Sequence, residues 1–360
     1  MTKRCVLYIT NLPAPYKIDF FNQLSYEYDL HVLVERKTAS DRDPRWITEA
    51  NHSFDLQYLK GVRFGKSSRA SSDVIHYLKR RYDAIIINGY ASPTMAFAIS
   101  YLSFKKIPFI ISCDGMIPKN SNSFRAKMKR SLLKKAEMCL SSGKMNTQAL
   151  LLCGVAKDKI REYPFSSVKD SDVEPSVPDK EYYKSKIGCK RNKLVLYVGQ
   201  MIYRKGIDVL IDAFSRVSDK NVELMCVGGV PENVQSKDPR ITFIDFKGKE
   251  ELKDYYRAAD IFVLPTREDI WGLVVNEAMA HGCPVITTQM CGAGIEMVID
   301  GKNGFLISSE DISAITYKID ACLKNSDTDR VINGCLETAR KYTIEKMAKR
   351  TSEIIREFVG

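Results

Sequence analysis

The sequence predicts an α/β protein made of two domains, each with a parallel sheet covered by helices. Its 360 residues suffice for two domains of about 180 residues, each large enough to bury a hydrophobic core. The chain opens with a strand at residues 5–10, a helix at 18–26 and a strand at 30–35, an order typical of a parallel β-α-β unit. A polar stretch with two prolines at 169–193 precedes a new apolar strand at 194–199, which indicates an interdomain linker.

The first domain, residues 1–168, continues this alternation of strands and helices. Apolar runs that end at turn residues predict its strands, and apolar residues three or four positions apart predict its helices. The further elements are strands at 84–87 and 109–112 and helices at 93–104, 124–140 and 146–153.

The linker holds a short helix at 180–187, and the second domain, residues 194–340, follows the same pattern. Its strands are predicted at 194–199, 223–229, 241–245, 260–265, 283–287 and 305–307. Its helices are predicted at 207–217, 251–259, 273–280, from 292 onward, and at 312–322. A last helix is predicted at 345–358.

Positive charge is concentrated in the first half of the chain. The protein has 55 Lys and Arg against 44 Asp and Glu, a net charge of +11, but residues 1–170 alone carry +13 and the remaining residues −2. A surface of this charge suits nucleic acid, anionic lipid or a phosphorylated acceptor. No nucleic-acid-binding motif or array of aromatic residues accompanies the charge. We therefore predict an anionic membrane surface, and not nucleic acid, as a partner.

The cysteines and histidines predict neither disulfides nor a metal site. The ten cysteines contain no CxxC pair, and none of the four histidines pairs with a Cys or Asp at a spacing typical of metal ligands. No signal peptide is recognised, and no apolar stretch reaches the ~18 residues needed to cross a bilayer. We expect reduced thiols in a cytoplasmic protein that can attach peripherally to the inner face of the membrane.

The helix predicted at residues 124–140 is strongly basic and amphipathic. Apolar residues fall three or four positions apart along it, and lysines and arginines cover most of the rest. Such a helix either lies on anionic lipid or has a solvated face, and the charge of the whole domain favours the lipid. The candidate lipid-contacting residues are Arg125, Lys129, Arg130 and Lys134.

The most informative stretch of the second domain lies between residues 265 and 293. A buried strand ends at Pro265, a polar loop follows, and Gly272 precedes a short helix. A unit of this kind directs its loop and its helix N-terminus toward the ligand edge of a parallel sheet, where backbone N–H groups favour a phosphate. Asp269 in the loop and Glu277 in the helix offer acceptors to hydroxyl groups. The alternative is an ordinary buried helix with an exposed acidic cap.

The spacing of these two carboxylates carries a family resemblance. An acidic residue, seven intervening residues and a glutamate, with an aromatic–glycine pair between them, appear here as Asp269, Trp271, Gly272 and Glu277. This motif resembles the signature of the retaining nucleotide-sugar glycosyltransferases of family 4. The resemblance implies the GT-B fold, in which two Rossmann-like domains face each other across a cleft and the C-terminal one binds the donor. It also implies that the last segment, 341–360, packs back on the first domain, and that the reaction needs neither a metal nor a cofactor.

The resemblance further assigns roles within the donor site. Arg204 and Lys205 are expected to neutralise the donor diphosphate, the alternative being an exposed basic turn. The family often has an arginine directly after the glycine that ends the preceding strand, and this chain has a glutamine there. Asp269 is expected to orient the sugar, although Glu268 could share that role, and Glu277 is expected to bind the ribose hydroxyls. The other expected donor contacts are Gly199, Gln200, Gly228, Gly229, Gly272, Leu273 and Val274.

The acceptor side is predicted for the first domain. Asp114 follows a strand and so lies at the edge where ligand groups collect; it is either a hydroxyl-binding residue or a turn aspartate. The opening segment, residues 9–16, is similar to family members that build surface polysaccharides, and Tyr16 within it is a candidate acceptor contact. The resemblance thus implies transfer, with retention, from a nucleotide-diphosphate sugar, UDP being favoured, to a saccharide. A lipid-linked oligosaccharide in surface polysaccharide or glycolipid synthesis is the favoured acceptor.

Two other functions on the same fold stay open. A nucleotide-sugar 2-epimerase would need a histidine and carboxylates for proton abstraction, and no such set stands out. A catalytically silent partner subunit of another transferase would keep the fold without the chemistry. The joint presence of Arg204, Lys205, Asp269 and Glu277 argues against it. Three departures from the family favour it: Gln200, the aspartate at 269 in place of the usual glutamate, and the glycine-free first loop.

Overall fold

The computed structural model describes residues 3–37, 51–64, 68–119, 121–229, 236, 238–324 and 327–360. The chain divides into two compact units, Met1–Phe165 with Ile344–Gly360, and Ser166–Thr343. Each unit is built on one parallel sheet, which confirms the predicted α/β class with two Rossmann-like sheets. Among the described residues, no helix combines the length and the apolar character that a membrane span requires.

The first unit contains nine strands and five helices before the chain enters the second unit, counted over the described residues. They are β1 (Arg4–Thr10), α1 (Pro15–Ser25), β2 (Tyr28–Val34), β3 (Asp55–Tyr58), β4 (Val62–Phe64), β5 (Ser68–Ala70), α2 (Val74–Leu78), β6 (Ala84–Asn88), α3 (Pro93–Phe104), β7 (Ile110–Cys113), α4 (Phe124–Leu133), β8 (Met138–Ser141), α5 (Lys144–Leu152) and β9 (Ile160–Glu162). The sheet has the order β3-β2-β1-β6-β7-β8-β9, and β4 and β5 form a separate antiparallel hairpin.

The centre of this sheet explains why its strands are continuous apolar runs. Val6 of β1 pairs with Leu30 of β2 on one side and with Ala84 of β6 on the other. All three residues are at most 2% exposed, because helices cover both faces of the central strands. The chain order reverses between β1 and β6, and the loops that follow these two strands therefore diverge at the carboxyl edge.

The second unit repeats the pattern with six strands and seven helices among the described residues. They are α6 (Lys180–Lys186), β10 (Lys193–Val198), α7 (Ile207–Ser215), β11 (Val222–Val227), β12 (Ile241–Ile244), α8 (Lys249–Ala258), β13 (Ile261–Leu264), α9 (Leu273–Ala280), β14 (Val285–Thr288), α10 (Gly292–Met297), β15 (Gly304–Ile307), α11 (Ile312–Lys324) and α12 (Thr328–Ala339). The sheet order is β12-β11-β10-β13-β14-β15, the strand order of a Rossmann sheet.

The last helix, α13 (Ile344–Val359), belongs to the first unit. Its buried face includes Ile344, Ile354 and Ile355. The Tyr28 hydroxyl donates a hydrogen bond to the carbonyl oxygen of Ser352 at 3.1 Å, which ties the helix to the start of β2. The chain thus completes its second unit before adding the last helix of the first.

Several short elements differ from the sequence prediction. The prediction of a helix at 124–140 was wrong in its second half. Helix α4 ends at Leu133, and residues 138–141 enter the sheet as the buried strand β8. A short apolar run is compatible with either structure, and pairing with β7 decides it here. Helix α12 was not predicted, although Ile332, Leu336 and Ala339 fall on one buried face.

The loops that leave β10 and β13 approach each other at Gly206. This glycine has a φ of 73°, and a Cβ at this position would lie 2.1 Å from the carbonyl oxygen of Pro265. Both the left-handed backbone and the contact exclude a larger residue. Gly188 provides a comparison, because its φ is 71° but a Cβ there would meet nothing within 4 Å.

We expect Gly206→Ala to lower the denaturation midpoint considerably more than Gly188→Ala. Both substitutions force an L side chain into the left-handed region at about 1–2 kcal/mol. Only Gly206→Ala must also displace a backbone carbonyl, and overpacking of this kind typically adds about 1–3 kcal/mol. Urea denaturation followed by circular dichroism measures the difference. Equal losses for the two variants would contradict the close approach of the two loops.

Candidate active site

The candidate site lies where the strand order of the second sheet reverses. β10 has β11 on one side and β13 on the other, so the loops after β10 and β13 diverge at the carboxyl edge. Ligands of open α/β sheets bind in the crevice that such a divergence opens. The first loop carries the predicted residues Arg204 and Lys205, and the second carries Glu268 and Asp269.

An ion pair joins the two loops. The Lys205 ammonium donates to Oδ2 of Asp269, and the two side chains are 14% and 9% exposed. The backbone of Asp269 is fixed as well, because its N–H donates to Met290 O at 2.9 Å and its carbonyl accepts from Gly292 N at 3.1 Å. A lysine and a carboxylate therefore stand at a fixed position on the ligand edge.

Arg204 and Glu268 lie beside this pair but make a different contact. Arg204 is exposed, and its guanidinium donates at 2.7 Å to the backbone carbonyl of Glu268. Glu268 is partly exposed, whereas Asp269 is buried. Of the two neighbouring acidic residues, Asp269 is the one that pairs with Lys205.

Arg267, which is not among the predicted site residues, holds the basic turn in place. Its guanidinium makes two 2.8 Å hydrogen bonds to the carboxylate of Asp208 at the start of α7 and one of 2.7 Å to the carbonyl of Tyr203. It also lies 3.7 Å above the Tyr203 ring. Hydrogen bonding between them raises the pKa of Arg267 and lowers that of Asp208, so both stay charged. The sequence signal for Arg267 was its position: it is a third basic residue, after Arg204 and Lys205, and it directly precedes the acidic pair Glu268 and Asp269.

The start of α9 completes this side of the site. Gly272 precedes the helix with a φ of 95°, and a Cβ there would lie 2.7 Å from the Cys291 sulfur and 3.5 Å from Oδ2 of Asp269. The first helical turn, with Leu273 and Val274, leaves backbone N–H groups without partners inside the helix. Trp271 is buried, and its indole N–H donates to Asn276 Oδ1 at 2.8 Å. The aromatic–glycine pair thus anchors the turn and lets the helix begin beside Asp269.

Glu277 lies on α9 but contacts other residues than Asp269 does. Ser167 donates to its Oε1 at 2.9 Å and the Tyr256 hydroxyl to its Oε2 at 3.0 Å. Burial raises the pKa of the Glu277 carboxyl above its ordinary value. Each carboxylate oxygen has two lone pairs, so one protein donor on each leaves room for one further donor. Ser167 and Tyr256 are 110 and 21 residues away in the chain, and no local signal marks them.

The predicted glycines line the neighbouring strand ends. Gly199 N–H donates to Val227 O at 3.0 Å, and the N–H groups of Gly228 and Gly229 donate to Ile244 O at 3.0 and 3.1 Å. These hydrogen bonds extend the sheet, so the glycines shape the floor of the crevice with their backbones. Gln200 follows Gly199, and its carbonyl accepts from the Tyr197 hydroxyl at 2.8 Å.

Asp114 and Tyr16 come together at the equivalent edge of the first sheet. The Tyr16 hydroxyl is 3.4 Å from Asp114 Oδ2, the Lys17 ammonium is 3.1 Å from the same oxygen, and Asn88 donates to Oδ1 at 2.6 Å. The Asp114 side chain keeps 23% of its surface exposed. Lys17 and Asn88 were not predicted, because their contact with Asp114 depends on the meeting of α1, β6 and the end of β7.

The basic helix α4 exposes apolar as well as charged side chains. Arg125, Lys129 and Lys134 are exposed, whereas Arg130 is partly buried and donates to the Ser121 carbonyl. Phe124 at the start of α4 is 82% exposed and Met128 is 47% exposed. The outer surface of this helix therefore combines positive charge with two large apolar groups.

Known proteins match the chain at both levels, sequence and fold. Residues 192–325 match the model of the family "Glycosyl transferases group 1". The capsular polysaccharide biosynthesis glycosyltransferase CapM of Staphylococcus aureus is 31% identical over 42% of this chain and 43% of its own length. A 41.2 kDa protein of the cps region of Klebsiella pneumoniae is 23% identical over 98% of this chain and 94% of its own.

The fold matches that of solved structures over nearly the whole chain. The Anabaena protein HepE, crystallised with UDP, superposes with a TM-score of 0.77 at 15% identity, covering 98% of this chain and 100% of that one. The chain spans 43–65% of the length of the first three curated relatives that it matches. These matches confirm the predicted resemblance to the group 1 glycosyltransferases of family 4, carried by residues 192–325, and the predicted GT-B fold.

Proposed function

We propose that this protein transfers a sugar, with retention, from a UDP-sugar to a saccharide acceptor. The observation that carries the proposal is the Lys205–Asp269 pair beside the start of α9, at the switch point of the unit that matches the family. HepE, which shares the fold, has been crystallised with UDP and with UDP-glucose. The same donor class suits a site that offers cations, helix amides and carboxylates side by side.

The main chemical task is to stabilise the departing diphosphate. The bond between the sugar C1 and the phosphate oxygen breaks, a bond to the acceptor oxygen forms, and the acceptor proton goes to the phosphate. Arg204, Lys205 and the first-turn amides of α9 supply preorganised positive charge for the leaving oxygens. When the diphosphate takes over Lys205, Asp269 becomes available for a sugar hydroxyl. Because the protein supplies this charge, we propose that the reaction is metal-independent.

Glu277 is proposed to bind the ribose. Its two oxygens each carry one protein donor and so retain an acceptor position for each of two neighbouring hydroxyls. Ser167 and Tyr256 fix the carboxylate from the protein side. A carboxylate held by two donors can bind a diol without reorganising.

The acceptor is proposed to bind at Asp114 in the first unit. Lys17 and Asn88 orient this carboxylate, and its exposed fraction suits a hydrogen bond from a sugar hydroxyl. The match of residues 192–325 to the family and a relative from a cps region that matches 98% of this chain favour a saccharide acceptor in surface-polysaccharide synthesis. A lipid-linked saccharide would place this chemistry at a membrane.

Helix α4 is proposed to bring the protein to an anionic membrane. Exposed basic residues attract the anionic surface, and Phe124 and Met128 can enter the headgroup region. The net charge of +13 over residues 1–170 adds a longer-range attraction.

A panel of uridine, UDP, GDP and ADP, titrated by calorimetry, tests the donor site directly. We expect UDP to bind most tightly, equally with magnesium and with EDTA, and Lys205→Met to weaken UDP while leaving uridine unchanged. Loss of a charged hydrogen bond costs about 1.5–3 kcal/mol, which corresponds to about ten- to a hundredfold in affinity.

The matched control for this variant is Lys302→Met, which removes an exposed lysine of the same unit that pairs with Glu337. It should bind UDP like the wild type. Absence of UDP binding to the wild type, or a Lys205→Met variant with unchanged UDP affinity, would contradict the proposed donor site.

Glu277 should make UDP binding depend on pH. Burial raises the pKa of its carboxyl, so the ribose-binding, ionised form is lost at a higher pH than for an exposed glutamate. As the pH falls, the wild type should lose affinity for UDP beyond the loss seen for Glu277→Gln, which lacks this titration. At neutral pH, Glu277→Gln should bind about tenfold more weakly.

Comparing the wild type with Glu277→Gln removes the contribution of the titration of the UDP phosphate, which is the same for both proteins. Glu337→Gln, on an exposed face of the same unit, serves as the matched control. Parallel pH profiles for the wild type and Glu277→Gln would refute the ribose role.

Reversing the charges of Arg125, Lys129 and Lys134 to glutamate should release the protein from vesicles that contain anionic lipid. Each basic residue near such a surface contributes about 1 kcal/mol, so losing three weakens partitioning by about a hundredfold or more. Sedimentation with phosphatidylglycerol vesicles measures the effect. The same reversal at Lys190, Lys220 and Lys302, exposed residues of the second unit, is the control. Equal release by both triple variants would show that net charge, and not α4, drives attachment.

A further inference from the structure

Four chemistry-bearing side chains meet at the amino edge of the first sheet, away from the ligand edge. Cys5 on β1 is the cross-strand partner of Asp29 on β2, and His31 on β2 is the partner of Asp55 on β3. Side chains alternate between the faces of a strand, so residues 29 and 31 lie on one face, together with their partners. The register of three adjacent strands therefore collects a thiol, an imidazole and two carboxylates on one face.

The possible ligand atoms of this cluster lie close together. One ligand atom each from Cys5, Asp29 and His31 lies within 4.8 Å of the other two. Asp55 Oδ2 is 2.8 Å from Nδ1 of His31, and Asp29 Oδ2 is 3.6 Å from Nε2. Asp29 is 63% exposed on its side chain, so it is free to rotate toward a bound ion.

The hydrogen bond to Asp55 decides which ring nitrogen is available. In a neutral imidazole, the Nδ1–H donates to Asp55, and the lone pair is then on Nε2, the nitrogen on the Asp29 side. Metal-binding histidines in proteins typically have this arrangement, with the other ring nitrogen donating to a carboxylate. The contact between His31 and Asp55 therefore supports a metal site more strongly than the proximity of acidic groups alone would.

We propose that Cys5, Asp29 and His31 bind a Zn²⁺ ion, with Asp55 orienting His31 from outside the coordination shell. A thiolate, an imidazole and a carboxylate together suit zinc, whereas magnesium and calcium prefer oxygen ligands alone. Three protein ligands leave one tetrahedral position to water. Sequence spacing does not show this cluster, because strand pairing brings together Cys5 and His31, which are 26 positions apart.

The proposed metal site lies away from the ligand edge and does not depend on the proposed sugar transfer. Cys5 precedes Thr10, at the ligand end of β1, by five residues, which is about 17 Å along an extended strand. An ion at this place links the first two strands of the fold. A bound ion also offsets the carboxylates that surround Cys5, including Asp83, which accepts the Cys5 N–H at 2.7 Å.

Cobalt substitution tests the proposal in the full-length protein after dialysis against EDTA. We expect Co²⁺ to produce visible d–d bands of a tetrahedral site and a near-ultraviolet thiolate-to-cobalt band, both displaced by Zn²⁺. Cys5→Ser should abolish the thiolate band. Asp55→Asn should weaken Zn²⁺ binding about 10–100-fold but leave the thiolate band in place. Cys153→Ser, at another partly exposed cysteine of the same unit, is the control and should change neither.

A second measurement uses the wild type alone and so does not depend on whether a variant folds. Zn²⁺ should protect Cys5 from iodoacetamide, as read by mass spectrometry of its peptide, and leave the alkylation of Cys153 unchanged; Mg²⁺ should protect neither. Zn²⁺ should also raise the melting temperature of the wild type, because it binds the folded form. Undiminished alkylation of Cys5 in Zn²⁺, or a cobalt spectrum that persists in Cys5→Ser, would overturn the proposal and leave His31 as an ordinary ion-pair partner of its two carboxylates.

Discussion

The close approach of the loops after β10 and β13 is the constraint on which the rest of the site depends. Parallel pairing brings the ends of the two strands side by side, and Gly206 then lets one loop pack against the Pro265 carbonyl. Arg267 locks the arrangement by holding both Asp208 and the Tyr203 carbonyl. Lys205 reaches Asp269 only because these contacts fix the turn that carries it.

The division of charges within the site follows from this arrangement. Arg267 is neutralised by Asp208 and Glu310, so it acts as a clamp and not as a phosphate ligand. Lys205 is paired with Asp269 in the free protein, and an incoming diphosphate can take its place as partner. Cys291 lies near Gly272 and could be mistaken for a nucleophile, but burial raises the pKa of its thiol to about 12. The chemistry that we propose therefore rests on cations, amides and carboxylates.

How much of the fold and of the candidate site could be predicted depends on whether the sequence signal for each element is local. The central strands and the helix at 273–280 were predicted almost to the residue, because continuous apolar runs and the glycine before α9 are local features. Strand β8 was hidden, since a four-residue apolar run acquires its structure from its neighbour β7. Among the candidate site residues, the motif predicts Asp269 and Glu277, but no motif marks Arg267 or Tyr256. The Cys5–His31 cluster was invisible for the same reason: it exists only through strand register.

A crystal structure of the protein with UDP tests the central claim most directly. The account predicts diphosphate oxygens within hydrogen-bonding distance of Lys205 and of the first-turn amides of α9, Arg204 beside them, and both ribose hydroxyls on Glu277. Asp269 should then have lost its contact with Lys205 or share it with the phosphate. A diphosphate bound away from Lys205, or a ribose away from Glu277, would contradict the assignment of this edge of the sheet as the donor site.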